Sequence, residues 1–192
     1  MFQLRRTVLR KRQTMEYFDL LNEDGSKNGR VKERNAVHRD GDLHASTHIW
    51  MKSGNKILLQ RRAWDKESRP GCLDAAAAGH VSSGEEVRDA ARREIEEETG
   101  IKISSEELAF VASQRLDVIE DNGHGLFQSH EINSVFAVTR DIDPAEIHFD
   151  PVEVAAMEWK TPAEIETALK EKERLWCIIP AEWKNIREFY KL

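Results

Sequence analysis

The chain has 192 residues, with 35 acidic side chains against 29 basic ones and a formal net charge of -6. That length fits one domain, and an acidic balance argues against a nucleic-acid polymer as partner, which would require a basic excess. Hydrophobic residues make up 40% of the chain, enough for a packed core. No apolar run is longer than the five residues from Leu175 to Ile179. A membrane-spanning helix needs roughly 18, so no membrane partner is expected. The two cysteines, Cys72 and Cys177, do not make a zinc site or a disulfide framework on their own. They read as reduced thiols of a cytoplasmic protein.

In chain order, Arg5, Arg6, Arg10, Lys11 and Arg12 come first, with no acid before Glu16. The segment lacks the apolar stretch of a secretory signal and is short and serine-poor for an organellar transit peptide. Residues 1–14 are therefore expected to be a disordered basic extension, with Met15 an alternative start and residues 15–192 a single domain. Whether the extension targets the protein is left open. Tyr17 to Leu21 reads as a short strand entering the turn-forming Asn22-Glu23-Asp24-Gly25-Ser26. His44 to Met51 and Lys56 to Arg61 flank Ser53-Gly54-Asn55 and predict a hairpin. Leu73 to Gly79 is ambiguous between strand and packed loop.

Ser82-Ser83-Gly84-Glu85-Glu86 predicts a helix start with capping hydroxyls. The helix runs to Thr99, with Gly100 beyond its end, where a left-handed residue is cheap. Leu108 to Ile119 and Phe127 to Thr139 predict strands around a polar loop, Glu120 to Gly125, which is expected to flank the substrate entrance. Val152 to Trp159 is a further strand. Thr161-Pro162-Ala163-Glu164 is a capping box with proline at the first helical position, opening a helix to Lys172. Trp183, Ile186 and Tyr190 space a last helix over Ala181 to Lys191. The mixture implies α/β or α+β layers around one mixed sheet.

The chemistry concentrates in the central helix. With residues about 100° apart around the axis, Glu97, Glu94 and Glu98 share one arc of roughly 100°, and Ala91 and Ile95 continue it as an apolar stripe. Carboxylates crowded toward a core repel one another and lose solvation. Arg93 can pair with Glu97 one turn on, but one arginine does not balance three acids. A divalent cation does, and carboxylate oxygens suit Mg²⁺ or Mn²⁺. Magnesium takes phosphate oxygens as further ligands, which points to a phosphorylated substrate. The bland reading of the same residues is a solvated acidic helix face.

The segment from Gly79 to Ile101 resembles the Nudix box, G-x5-E-x7-R-E-U-x-E-E-x-G-U, where U is a bulky apolar residue. Gly79, Glu85, Arg93, Glu94, Ile95, Glu97, Glu98, Gly100 and Ile101 match all nine fixed positions over 23 residues. The resemblance implies an α/β/α sandwich and a hydrolase that splits a diphosphate linked to another moiety. It implies metal ligands at Glu94, Glu97 and Glu98, with the carbonyl of Gly79 helping. It also implies an orienting role for Arg93 and a structural one for Glu85. Whether Glu97 or an acid outside the box is the general base stays open.

A second resemblance, from about Val37 to Thr139, is to the type I isopentenyl-diphosphate isomerases and the hydrolases grouped with them. It rests on His38, Leu43-His44, Leu59-Gln60-Arg61-Arg62, Pro70-Gly71, Gly79-His80 and Glu131. In the isomerases three histidines and two glutamates form a metal site. His38, His44 and His80 fall at positions compatible with those histidines, and Glu131 matches the strand glutamate. The isomerase also needs a cysteine just before the Gly-His or Ser-His pair, where this chain has Ala75-Ala76-Ala77-Ala78. Alanine transfers no proton, and Cys72 is displaced from that place. Hydrolysis is therefore preferred over isomerisation, and an intact box argues against a non-catalytic Nudix binding module.

The leading expectation is a Mg²⁺-dependent hydrolase acting on a small diphosphate, with a nucleoside diphosphate or its conjugate first among substrates. Monomer and homodimer are both compatible. Without an isomerase centre, His38, His44, His48 and His80 are expected to be mainly ordinary hydrogen-bonding or surface residues, with His80 retained as a substrate contact. Glu131 rather than His130 is expected to face the cleft, because strand neighbours point to opposite sides. Of Arg61 and Arg62, one should point inward and grip phosphate. Trp64 is the candidate for stacking on a base, and Trp50, Trp159, Trp176 and Trp183 read as core or interface aromatics.

Overall fold

The computed structural model describes residues 15–66, 68–121 and 125–192. The basic extension 1–14 and the centre of the Glu120 to Gly125 loop lie outside the described residues. The first hairpin pairs β1 (Tyr17–Leu21) with β2 (Lys27–Glu33). Its turn is fixed by Asp24, whose carboxylate accepts from the Ser26 amide at 2.9 Å and the Ser26 hydroxyl at 2.6 Å. Next comes α1 (Arg34–Asp40), which the sequence analysis did not anticipate. Glu33 caps its start by accepting from the Ala36 amide, and left-handed Gly41 closes its end. Seven residues with only Val37 and His38 buried leave no helical apolar stripe to read.

The main sheet is mixed. β3 (Leu43–Ser53) and β4 (Lys56–Arg62) form the expected hairpin. The ambiguous small-residue run resolves into β5 (Leu73–Asp74) and β6 (Ala77–His80). β7 (Ala109–Asp121) and β8 (Leu126–Thr139) pair antiparallel, and β9 (Val154–Lys160) joins β4. The order is β5-β4-β3-β8-β7, with β3 and β8 parallel. β3 is shared lengthwise. Its first half pairs with β6 and its end with β4, so the sheet parts beside β6 and opens a cleft there.

Helices cover both faces, as period-two burial in β3 requires. Ile49 and Met51 pack with Ala91 and Ile95 of α2 (Val87–Thr99). Trp50 points the other way, against Ile165 of α3 (Pro162–Glu171) and Trp183 and Ile186 of α4 (Pro180–Tyr190). Trp50 and Trp183 pack in a tilted arrangement with ring centroids 5.5 Å apart, both as core aromatics. The capping box of α3 forms as expected. The expected cap of α2 does not. Its N-cap is Glu86 without a side-chain cap bond, and the serines serve the preceding loop. Ser83 Oγ and the Gly84 amide both donate to Asp19 at 2.9 Å, so β1 holds the loop before α2. Among the described residues no helix is long and apolar enough to cross a membrane.

Gly71 lies at φ +71°, and a Cβ there would sit 2.2 Å from the Trp64 ring. Trp64 is 63% exposed and can swing aside, so the cost of Gly71→Ala is chiefly the left-handed backbone, about 1–2 kcal/mol. The expected result is a lower midpoint in urea, with Trp64 fluorescence altered as its ring leaves Gly71. An unchanged midpoint would contradict this account of the turn.

Candidate active site

Arg93 organises the acidic helix. Its Nε and Nη2 donate to the two oxygens of Glu85, each at 2.9 Å, Nη1 donates to Glu94 at 2.6 Å, and Nη2 also reaches the His80 carbonyl at 3.1 Å. Glu97, the partner expected from helical spacing, is only a 3.7 Å neighbour and is 57% exposed. Glu85 also accepts from the Ser82 amide at 3.0 Å, which ties the loop to the helix. One guanidinium thus fixes loop, β6 and helix together, a planar fork's particular use.

Glu98 is buried. Its Oε2 accepts from Gln60 Nε2 at 2.7 Å and from the Ala78 amide at 2.9 Å. Burial, helped by the nearby Glu94 charge, pushes its pKa up to about 8. Burial also raises Glu94, against the opposing pull of Arg93. Gly79 lies directly beside them: a Cβ there would fall 2.1 Å from the Glu94 carboxyl carbon. A Cβ there would push that carboxylate aside, so the missing side chain of Gly79 is what lets the β6 backbone lie against Glu94 in its present place. Two desolvated carboxylates, a third at the rim and a bare backbone form a donor set suited to Mg²⁺ or Mn²⁺.

A second set of donors gathers on the other side of β6. The ligand atoms of His38, His44 and His80 lie within 4.8 Å of one another. Nδ1 of His38 lies 3.0 Å from the Gln128 carbonyl, and Nδ1 of His44 lies 2.9 Å from the Asp42 carbonyl. A carbonyl only accepts, so each Nδ1 carries the proton and each Nε2 presents a lone pair. Both Nε2 atoms are buried without a hydrogen-bond partner. Burial lowers His38 to about 3 and His44 to about 4, so both rings are neutral, as metal ligands must be. Glu131 stands beside them, 3.5 Å from His80 Nε2, and accepts from the Ser129 hydroxyl. Its carboxyl is held well below the ordinary range by the histidines and Ser129, which overcome its burial. His38 and His44, expected to be ordinary hydrogen-bonding or surface residues, do hydrogen-bond to backbone carbonyls but are buried and grouped with His80 in a set that could hold a metal ion.

Two cavities that share lining residues adjoin these sets, and His38 and His44 line neither. One of about 350 Å³ includes Gly79, Glu94, Glu98, Arg34, Arg62 and Lys66, and one of about 580 Å³ includes His80, Glu131 and His48. They meet along Ala78, Gly79 and His80. Of the predicted arginines, Arg62 lines both cavities and donates to the Ser68 carbonyl at 3.1 Å. Arg61 is turned away into an ion pair with Glu158 at 2.7 Å and a bond to the Gly71 carbonyl at 2.8 Å, so Arg62 is the one of the pair that lines the cleft and Arg61 is not placed to touch a substrate there. Trp64 covers Gly71 and lines neither cavity, which removes the geometric basis for it as a stacking plate. His130 is bound to Asp117 at 2.5 Å, while Glu131 lines the larger cavity. Sequence reasoning missed Arg34 and Lys66. They come from separated segments and carry no spacing signal.

A NUDIX domain model matches residues 42–181. The chain belongs to the Nudix family. Nudix hydrolases are pyrophosphohydrolases, and relatives of this Nudix chain include both Nudix hydrolases and isopentenyl-diphosphate isomerases. Nudix hydrolase 3 of Arabidopsis thaliana is 42% identical over 128 residues, which are 65% of this chain but only 16% of that protein. An isopentenyl-diphosphate Delta-isomerase of Cereibacter sphaeroides is 30% identical over 139 residues, covering 72% of this chain and 75% of the isomerase. Among solved structures, DR0079 from Deinococcus radiodurans has the same fold, with a TM-score of 0.63 at 22% identity, covering 90% of this chain and 98% of that one. The mixed sheet between helices is thus the Nudix fold.

Proposed function

We propose that this Nudix chain is a metal-dependent hydrolase that splits a phosphoanhydride in a small diphosphate compound, with a nucleoside diphosphate or its conjugate as the leading class. The observation that carries this is the placement of the desolvated Glu94 and Glu98 against the β6 backbone at Gly79 and Ala78, with the exposed Glu97 on the same helix. Glu94, Glu97, Glu98 and the Gly79 carbonyl would hold Mg²⁺, with Mn²⁺ also suited. Such an ion neutralises the diphosphate and lowers the pKa of a bound water. Arg93 keeps Glu94 aimed at the cleft. Arg62, Lys66 and Arg34 line the same cavity and can hold the phosphate oxygens. Glu97, at the rim, and Glu131, in the larger cavity, are the two candidates to take the proton from the attacking water.

The orphaned Nε2 atoms support a second ion. His38, His44, His80 and Glu131 would hold a transition metal, for which imidazole is the suited ligand. This arrangement keeps an isomerase reading in view, but Ala77 and Ala78 precede Gly79-His80 and offer no group for proton transfer to carbon. The test is a screen for release of the monophosphate products of phosphoanhydride cleavage, read by ³¹P NMR, over nucleoside diphosphate sugars, nucleoside di- and triphosphates and isoprenoid diphosphates, with and without Mg²⁺. Mg²⁺-dependent release is expected, with no allylic product from isopentenyl diphosphate. Absence of release from every compound would overturn the hydrolase, and allylic product would establish the isomerase in its place.

Stability should report the acids directly. A carboxyl raised to about 8 when folded holds a proton that the unfolded chain has released above its ordinary pKa. Stability from this group is therefore present at low pH and lost as pH rises toward 8. In chelator, the wild type should lose stability relative to Glu98→Gln between about pH 5 and about pH 8, as read by urea unfolding. Added Mg²⁺ should shrink that loss. A gap independent of pH would show that Glu98 is not desolvated as described.

A further inference from the structure

Beyond both donor sets, the larger cavity is lined by His48, whose ion pair with Glu182 behind it neither resemblance predicts. Glu182, in the first turn of α4, is 1% exposed. Its carboxylate accepts from His48 Nδ1 at 3.0 Å, from Trp50 Nε1 at 2.5 Å and from Gln114 Nε2. Three N–H donors thus converge on one buried carboxylate with no lysine or arginine among them. A buried charge needs a counter-charge, and His48 is the cationisable group bonded to it. The His48 pKa is accordingly raised to about 9, with Glu182 overcoming the burial of the ring and Asp74 and Glu131 adding to the pull.

With Nδ1 committed, Nε2 is the free end of the ring. The His48 side chain is 14% exposed, whereas the Nε2 atoms of His38 and His44 are sealed. His48 lines the larger cavity together with Ser46 and Asp74. Ser46 Oγ accepts from Asn133 at 2.9 Å, which leaves its own proton to give. That region of the cavity therefore offers two donors, His48 Nε2–H and Ser46 O–H, beside a carboxylate acceptor. The apolar side chains that also line the cavity, Leu116 and Val118 among them, accept most carbon frameworks, so discrimination falls on the polar groups. An alkyl arm pressed there would strip water from an imidazolium and an aspartate and return no hydrogen bond, a costly exchange. An arm with neighbouring hydroxyls would satisfy donors and acceptor together.

We propose that His48, positioned by Glu182 and assisted by Asp74 and Ser46, is a specificity determinant that selects a hydroxyl-bearing arm, of the sugar class, over an isoprenoid arm. This rests on the proposed hydrolase only for which bond is cut, since the recognition itself is a binding property. The two fail separately. Calorimetry in Mg²⁺ compares ribose 5-phosphate with isopentenyl monophosphate, which share the phosphate and differ in the arm. The wild type should bind the sugar phosphate at least about tenfold more tightly, the scale of one or two buried hydrogen bonds. His48→Phe should bring the ratio to within about threefold, mainly by weakening the sugar phosphate. Glu182→Gln should narrow it in the same direction and remove the doubly protonated imidazole signature of His48 from the ¹⁵N spectrum at neutral pH. His48→Gln, which keeps a donor, should retain more of the preference than His48→Phe and guards against a folding defect.

If the isoprenoid phosphate binds as tightly as the sugar phosphate to the wild type, the proposal is wrong. It is equally wrong if the His48 variants weaken both ligands alike. Failure of the cleavage screen alongside an intact sugar preference would remove the hydrolase and leave this recognition standing.

Discussion

Replacing Glu98 or Glu97 by glutamine should each lower hydrolysis by at least about a hundredfold while the fold survives, the scale of losing acid–base help or a metal ligand. The two substitutions should differ in every other respect. Glu98 is buried and holds Gln60 and the Ala78 amide. A glutamine oxygen can accept from both, and its amide can then face Glu94 as a donor. Glu98→Gln should therefore be at least as stable as the wild type in chelator at about pH 8, and should lose most of the stabilisation that Mg²⁺ confers. Glu97 is more than half exposed with Arg93 at 3.7 Å, so Glu97→Gln should leave the melting temperature almost unchanged. Thermal unfolding with and without Mg²⁺, beside single-turnover rates, separates these outcomes. Wild-type rates in both variants would remove the acids of α2 from the chemistry.

Substitution of His44 by alanine should abolish retention of a transition metal through purification, measured by elemental analysis. His44 is fully buried, with Nδ1 oriented by the Asp42 carbonyl and Nε2 unpartnered. Such a ligand is oriented before the metal arrives. Its loss should lower affinity by more than the roughly 10–100-fold typical of removing a group that only orients a ligand, so occupancy in dilute buffer should fall to near zero. His130→Ala is the control. His130 sits on the neighbouring residue to Glu131 but bonds Asp117 instead, and its removal should leave metal content unchanged. A wild-type protein that takes up neither zinc nor manganese would show that the histidines pack as neutral rings against one another and against Phe18, whose ring lies 4.8 Å from His80 and 5.3 Å from His44.

Both experiments address sites built from different kinds of information. The acids of α2 lie within five residues of one another, so the helical repeat alone places them together. The same local logic made β3, β4, β7, β8, α3 and α4 legible, since each has its own period or cap. It failed at α1, where seven mostly polar residues carry no stripe, and at the α2 start, where Ser83 bonds across to Asp19 on another element. Such a bond has no signature in the local string.

The order of residues along the chain determined the Nudix helix, its glycine and its acids, because the distances involved are set by one turn of backbone. Packing decided the rest. Strand register brought His44 opposite Glu131 and His48 opposite Ala78. The seating of α4 on the sheet carried Glu182 to His48 across 134 residues. The turn of Arg61 toward Glu158, leaving Arg62 in the cleft, was decided the same way. Contacts of that range depend on which faces meet, and only the folded chain fixes that.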